Sequence, residues 1–476
     1  MSQIILPLTS AFLYFSLFPP VSAGFLAWFI LIPFFFSING KNRKKRFFSG
    51  IFFGFSAYLL NLYWIYPTVR DAGEPFWISA GALILLALIL SIYTGIFSFF
   101  YRQDSLWVAA SGVLIFYLKG KLFSGFPWCD FYISQVNFPF FTQITKILGP
   151  HFLNFLIIFV NHSLYLSIKK RNFKIMKASL FLLVATAAFG VFRLNFAEKL
   201  NPMKFTIAQV NVPQSEKWNP FSAQKIFLKI KKAVRNSDEE SLIVFPEAVL
   251  PGVLNYDFEE KNLLELFQKR DKKAIVGALY YEKAKLFNTS VFVSSKGIEG
   301  IYRKMHLVPF GEYVPLRSVF SFVNVLNEIG DTSPGNKKTI FEFHNAKILN
   351  LICNEVIYPD LWHAKSINLI ANITNDAWYG KTQAPYQHLL HARFCATATG
   401  VPVIFANNCG PSALIDRFGR IVKITQPFKE TLLSGKLLLP QKPSFWARNF
   451  DLTIIFVLAI FLWKILRGRK CLTIKV

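Results

Sequence analysis

Acyl transfer through a thioester needs a thiol, a base and a cation, and this 476-residue chain offers Cys353, Glu247 and Lys304 for those parts. A thiol of ordinary pKa is only a few per cent thiolate near neutral pH. A carboxylate takes its proton, and an ammonium stabilises both the thiolate and the tetrahedral oxyanion. Taken singly, each residue also has a plainer meaning. A cysteine at a strand end is commonly a buried structural thiol, a Glu after Phe-Pro a loop residue, and a lone Lys a solvated one. Spacing alone does not make a triad of them.

The elements that must position these residues are legible. Glu247 ends the run SLIVFPE (241–247), Cys353 lies at the end of KILNLICNE (347–355), and Lys304 lies in GIYRKMHLVPFGEYVP. A residue at a strand's end sits on the sheet rim, where loops converge and substrates reach it. A Cys there that turns at once into a helical segment resembles a nucleophile elbow, and the backbone N–H groups beyond it, from Asn354 on, are candidates to face an oxyanion. Further β-rich runs are FTIAQVNV (205–212), AIVGALYY (274–281), TSVFVSS (289–295) and INLIANITND (367–376), with helical patterns at Phe221–Val234 and Ala384–Thr399. Strands alternating with helices predict one α/β domain over residues 203–440.

The rest of the chain has another character. Of all residues 53% are hydrophobic and Phe occurs 53 times, too much to hide in the core of a soluble protein of this length. Apolar windows predict a helical membrane domain over 1–195 with seven spans, near 4–18, 22–39, 47–69, 77–100, 105–118, 148–168 and 178–195. An eighth, 450–466, closes the chain. The first lacks a basic start and an A-x-A-like site, so it reads as a retained helix rather than a signal peptide. The net charge of +26 is concentrated where spans end: KNRKKR (41–46), KKRNFKIMK (169–177) and KILRGRKCLTIK (464–475). The positive-inside rule places all three clusters in the cytoplasm, both termini with them, and residues 196–448 on the outer side. No nucleic-acid motif accompanies the basic residues, so no nucleic-acid partner is expected. Five scattered cysteines form neither a disulfide framework nor a zinc pattern, and Cys395 with Cys409 is left open as a pair.

FPEAVLPG (245–252), YRKMHLVPFGEYVP (302–315), LICNE (351–355) and ITNDAWYG (373–380), in this order, resemble the nitrilase superfamily. With a multi-span first half and one C-terminal span, the chain is similar to the apolipoprotein N-acyltransferase family. That family's membrane half is echoed by Phe18-Pro19-Pro20, by Leu62-Tyr63-Trp64-Ile65-Tyr66 and by Gly125-Phe126-Pro127-Trp128. The resemblance implies an αββα sandwich, with Glu247 as general base, Lys304 as the ammonium and Cys353 as nucleophile. It implies Glu312 as a second carboxylate near the site, with Asn354, Glu355, Trp378 and Tyr379 as supporting positions. His306 is read as structural. It further implies a bacterial inner-membrane enzyme, working as a monomer and without metal or organic cofactor. Such an enzyme moves an acyl chain from a phospholipid, phosphatidylethanolamine above all, to diacylglyceryl apolipoproteins. The rival is a membrane-tethered amidase using the same three residues with water as acceptor.

The chain departs from the family's pattern in three places. Asn354 stands where an aromatic usually follows the nucleophile. Phe116 and Lys119 replace an acidic residue and an Arg, and Ala398, Val401 and Phe405 occupy positions often filled by Glu and Arg. Two further apolar stretches, Val314–Leu326 and the Phe-rich Lys119–Ile147, read either as packed segments or as surfaces for lipid.

Overall fold

The change in composition near residue 200 is also a change in architecture. The computed structural model describes residues 2–470 apart from 197, 218, 257–259, 269–271, 321, 324, 325, 327–329 and 450. The chain divides into two units, Met1–Arg70 with Pro75–Phe196 and Asn449–Val476, and Asp71–Glu74 with Ala197–Arg448.

The first unit is helical. Phe76–Phe99, His151–Lys170 and Phe173–Asn195 are long and apolar enough to cross a membrane, and Arg43–Asn61 with Ile65–Asp71 makes a fourth candidate bent by 51°. Three of the seven expected spans are shorter: Ser2–Ser16, Ser105–Lys119, and the 22–39 window, which splits into a 3-10 turn Gly24–Trp28 and the helix Leu31–Ile38. Where an eighth span is expected lies the helix Leu452–Lys470, which is not among the described helices long and apolar enough to cross a membrane. It packs back on the earlier helices, with Phe461 stacked on Trp107 at 4.7 Å and Thr453 Oγ1 donating to the Leu148 carbonyl at 2.7 Å. Arg43–Asn61 and Phe76–Phe99 meet through small residues: a Cβ on Gly54 would come within 2.0 Å of Thr94 Oγ1. Where lipid replaces water, such close backbone approach is a main source of helix association.

The Phe-rich stretch after Lys119 is mostly interior. Trp128, Cys129, Phe131, Tyr132, Ile133 and Val136 are buried, while Leu122, Phe123 and Ile147 are exposed. Lys119, at the departure from the family pattern, is itself buried and pairs with Asp130 at 2.7 Å. The cation thus finds its carboxylate eleven residues downstream rather than one turn upstream, which avoids stranding a buried charge.

The second unit contains two six-stranded sheets. The first runs β12-β1-β2-β3-β4-β5 and the second β11-β10-β9-β8-β7-β6. The first-sheet strands are β1 Asn201–Gln209, β2 Leu242–Val244, β3 Ala274–Glu282, β4 Lys285–Ser294, β5 Gly297–Arg303 and β12 Thr431–Leu439. The second has β6 Ile340–Phe343, β7 Ala346–Ile352, β8 Leu369–Thr374, β9 Val403–Asn407, β10 Ala413–Ile415 and β11 Ile421–Ile424. Side chains alternate across each strand. Phe205, Ile207, Leu242, Val244 and Ile275 therefore face inward and share one core with Ile348, Ile352, Leu369, Ala371 and Ile404 of the second sheet. Their neighbours Ala208, Ile243, Phe245, Ala274 and Val276 face outward and pack under the helices Pro220–Asn236 and Glu260–Gln268, through Ile226, Ile230, Leu263 and Phe267. On the other side the helix Ala384–Thr399 covers the second sheet and is buried along nearly its whole length. This is the expected αββα sandwich.

Ala398, Val401 and Phe405 are each fully buried. Val314–Leu326 divides: Val314, Val323 and Leu326 are buried, whereas Leu316, Val319 and Phe322 are exposed, and residues 321, 324 and 325 lie outside the described residues. Cys129, Cys353, Cys395 and Cys409 are all free, so Cys395 and Cys409 are unbonded; Cys471 lies outside the described residues.

Candidate active site

Strand ends at the rim of the sandwich bring the predicted residues together. Just past β2 the chain turns sharply, with Ala248 at φ +43°. There it runs against Gly277 of β3, where a Cβ would meet Pro246 O at 2.3 Å, Ala248 N at 2.5 Å and Glu247 Cα at 2.6 Å. Only glycine lets β3 pass this close. Glu247 is thereby directed into the site, where its Oε1 accepts from Lys304 Nζ at 3.2 Å and Asn288 Nδ2 at 2.8 Å. Its Oε2 accepts from the Asn375 backbone N–H at 3.0 Å.

Lys304 follows β5 and is almost fully buried. Its Nζ lies 3.2 Å from Glu247 and 2.8 Å from Glu312 Oε2. Asn288 joins the same two carboxylates, donating at 2.8 Å to Oε1 of each, and the Val308 N–H donates to Glu312 Oε2 at 2.9 Å. Burial alone would lower the Lys304 pKa, but the flanking carboxylates outweigh it and hold the ammonium well above the ordinary lysine value. Burial likewise pushes the Glu247 carboxyl up, but Lys304 and then Lys217 overcome it and leave the group below its usual range. The carboxylate is therefore kept ionised.

Cys353 begins a short 3-10 turn directly after β7, at φ +52°, in the left-handed region that non-glycine residues seldom occupy. Its carbonyl is clamped by Asn372 Nδ2 at 3.2 Å and by His388 Nε2 at 3.1 Å, and His388 Nδ1 is 2.9 Å from Asp376 Oδ1. Burial, reinforced by the Glu247 carboxylate, pushes the thiol well above its ordinary pKa, while Lys304 opposes the shift. A thiol in this state stays protonated until a base removes the proton at the moment of attack.

Glu355 has a positioning place rather than a contact with the reacting atoms. It is fully buried and accepts from the Tyr302 hydroxyl at 2.9 Å, Met305 N at 2.7 Å, His306 N at 3.0 Å and Ile352 N at 2.7 Å. One carboxyl group thus ties the segment carrying Lys304 to the strand end carrying Cys353. Burial outweighs these donated bonds and raises its pKa to about 7. Asn354 is nearly buried, and His306 packs its ring on Tyr358 with centroids 3.7 Å apart. Tyr379 is within electrostatic reach of Cys353 and Glu247, and burial raises its pKa well above the usual phenol value. Trp378, its neighbour, is 47% exposed and stands at the surface.

Several contributors escaped the sequence reading: Asn288, Asn375, Asn372, His388, Asp376 and Lys217. Asn372 is a polar residue among the apolar residues of β8, which was a usable signal, whereas Asn288 stands in β4 beside Thr289 and Ser290 and is not set apart. Asn375 and Asp376 lay within a motif already singled out, but nothing in the word ITNDAWYG marks a backbone N–H as the donor.

Residues 10–163 match the apolipoprotein N-acyltransferase N-terminal domain family, and residues 206–441 match the carbon-nitrogen hydrolase family. The chain is 31% identical to the apolipoprotein N-acyltransferase of Geobacter metallireducens, across 95% of this chain and 91% of that one. It is 30% identical to that of Rickettsia bellii, across 88% and 89%. A CN-hydrolase superfamily protein of Xanthomonas campestris aligns in structure with a TM-score of 0.40 and 12% identity, over 50% of this chain and 90% of that one. With similarity running through both halves in register, the chain belongs to the apolipoprotein N-acyltransferase family.

Proposed function

We propose that this chain transfers an acyl chain from a membrane phospholipid, through a thioester on Cys353, to the α-amino group of the lipidated N-terminal cysteine of apolipoproteins. The observation that carries this reading is similarity to named N-acyltransferases across 95% of the chain. Glu247 takes the thiol proton as Sγ attacks the ester carbonyl. Lys304 stabilises the oxyanion, the C–O bond breaks, and the departing lysophospholipid alcohol takes the proton back from Glu247. In the second half, the acceptor amine attacks the thioester, Glu247 takes its proton, and the C–S bond breaks to return the thiol. Glu312 and Asn288 hold Lys304 and Glu247 in register throughout. Phosphatidylethanolamine is the proposed donor, and one copy of the chain supplies every group used.

A transferase must shield its thioester from water until the amine arrives, and a hydrolase need not. Labelled phosphatidylethanolamine alone is therefore expected to give one equivalent of lysophospholipid, with the acyl chain held on Cys353 and little free fatty acid. A diacylated lipopeptide with a free α-amino group should restore multiple turnovers and yield N-acylated product, and an N-acetylated lipopeptide should not. Rapid continuous fatty-acid release unchanged by lipopeptide would sink the transferase reading in favour of the amidase.

The three basic clusters support a multi-pass inner-membrane placement with Leu452–Lys470 as the last span, both termini cytoplasmic and the sandwich periplasmic. Reporter fusions after residues 43, 172 and 470 should report cytoplasm, and one near residue 300 the outer side. A cytoplasmic signal at residue 300 would overturn the orientation.

A further inference from the structure

One buried cation serves two carboxyl groups beside the candidate base: Lys304 lies between Glu247 and Glu312. A second ammonium is close by. Lys217 ends the one-turn helix Gln214–Lys217, is 5% exposed, and donates from Nζ to the Glu247 carbonyl at 3.1 Å. Its turn is fastened to the network that orients Glu247. Asn375, whose N–H meets Glu247 Oε2, donates from Nδ2 to Gln214 Oε1 at 3.0 Å. Asn408 clamps Val212 just upstream, accepting from its N–H at 2.9 Å and donating to its carbonyl at 2.7 Å. An ammonium held this deep costs desolvation energy that an apolar residue would not.

We propose that Lys217 is a positioning residue for acyl transfer, whose ammonium keeps Glu247 in the ionised form that accepts the Cys353 proton. This rests on the role given to Glu247 above. The groups facing Lys217 are Glu247, Cys409, Cys353 and Lys304; those facing Glu247 are Lys304, Lys217, Cys353 and Tyr379, with Glu312 reached through Lys304 and Asn288. Among the cations, Lys304 does most to hold the Glu247 carboxyl down and Lys217 does the next most. Burial lowers the pKa of Lys217 to about 8, against the pull of Glu247, so it remains charged throughout the acidic range in which Glu247 titrates. Removing this charge raises the proton affinity of Glu247, and the acid limb of any reaction that needs its carboxylate moves to higher pH.

The full chain in detergent, with Cys353 alkylation by iodoacetamide followed by peptide mass between pH 2.5 and 8, reads this limb without any lipid substrate. Lys217→Gln keeps a donor for the Glu247 carbonyl but loses the charge. It is expected to move the limb up by about one pH unit, a tenfold slower reaction on the limb with little change on the plateau. Lys217→Arg keeps the charge and should retain the wild-type limb. A Lys217→Gln profile that coincides with wild type, or is scaled down equally at every pH, would overturn the proposal, because lost packing lowers a profile without displacing it. Glu247→Gln should abolish the limb and its plateau, leaving only slow alkylation that rises continuously with pH as the thiol itself ionises. Were the limb to survive that change, Glu247 would not be the base, and the role of Lys217 would fall with it. A Glu247→Gln profile without a limb beside an unmoved Lys217→Gln limb would reject Lys217 alone.

Discussion

Purified Cys353→Ala protein given labelled phospholipid is expected to carry no acyl group that neutral hydroxylamine releases, whereas Cys395→Ala and Cys409→Ala should charge normally. The buried thiol has no substitute: Cys409 is occupied with the Val212 carbonyl at 3.4 Å, and Cys395 lies within the buried helix Ala384–Thr399. Glu247→Gln removes the base yet keeps an acceptor for Asn288, and should slow thioester formation by about a hundredfold or more while the fold survives. Lys304→Met has a double consequence. It removes the oxyanion's cation, for a loss on the order of a hundredfold. It also leaves Glu247 buried, and Glu312 partly buried, without their shared cation, so the protein should unfold more readily by roughly 3–5 kcal/mol. Single-turnover acylation and thermal unfolding separate the two effects. Full turnover by Cys353→Ala would end the thioester mechanism.

The second large effect is expected from a residue with no functional group. Gly277→Val places a branched side chain where even a Cβ would lie 2.3 Å from Pro246 O and 2.6 Å from Glu247 Cα. Backbone atoms cannot yield as the end of a flexible side chain does, so β3 and the turn after β2 must separate and Glu247 must move. Displacement of a reacting group by about 1 Å costs on the order of a hundredfold in rate. Gly277→Val is expected to lose at least that much, and Gly277→Ala somewhat less, measured as the rate of Cys353 acylation. Wild-type rates in Gly277→Val would show that the base does not depend on this contact.

The sequence made these two variants unequally predictable. Cys353, Glu247, Lys304 and Glu312 were legible because distinctive words surround them, and Glu247 and Cys353 also because each ends an apolar run. The runs at 274–281 and 347–355 lie on β3 and β7, and the helical pattern Ala384–Thr399 matches a helix residue for residue. Gly277 was invisible because its importance lies in the gap to another strand's turn. His388 and Asn372 were missed because they act on a carbonyl, which has no side-chain signature. Strands β5, β6 and β9–β12 were not anticipated: β10 is three residues long, and β11 is exposed along its length. In the helical unit, residues 22–39 read as one continuous span because composition is blind to the break between Trp28 and Leu31.

The bonds that converge on Glu247 span 41 residues to Asn288, 57 to Lys304 and 128 to Asn375. Contacts of such separation form late, after the loops between them have closed. On the roles proposed for Glu247 and Cys353, the base comes to stand beside the thiol only when these contacts are made, so Cys353 acylation is expected to follow completion of the sandwich and to report how much of a preparation has finished folding.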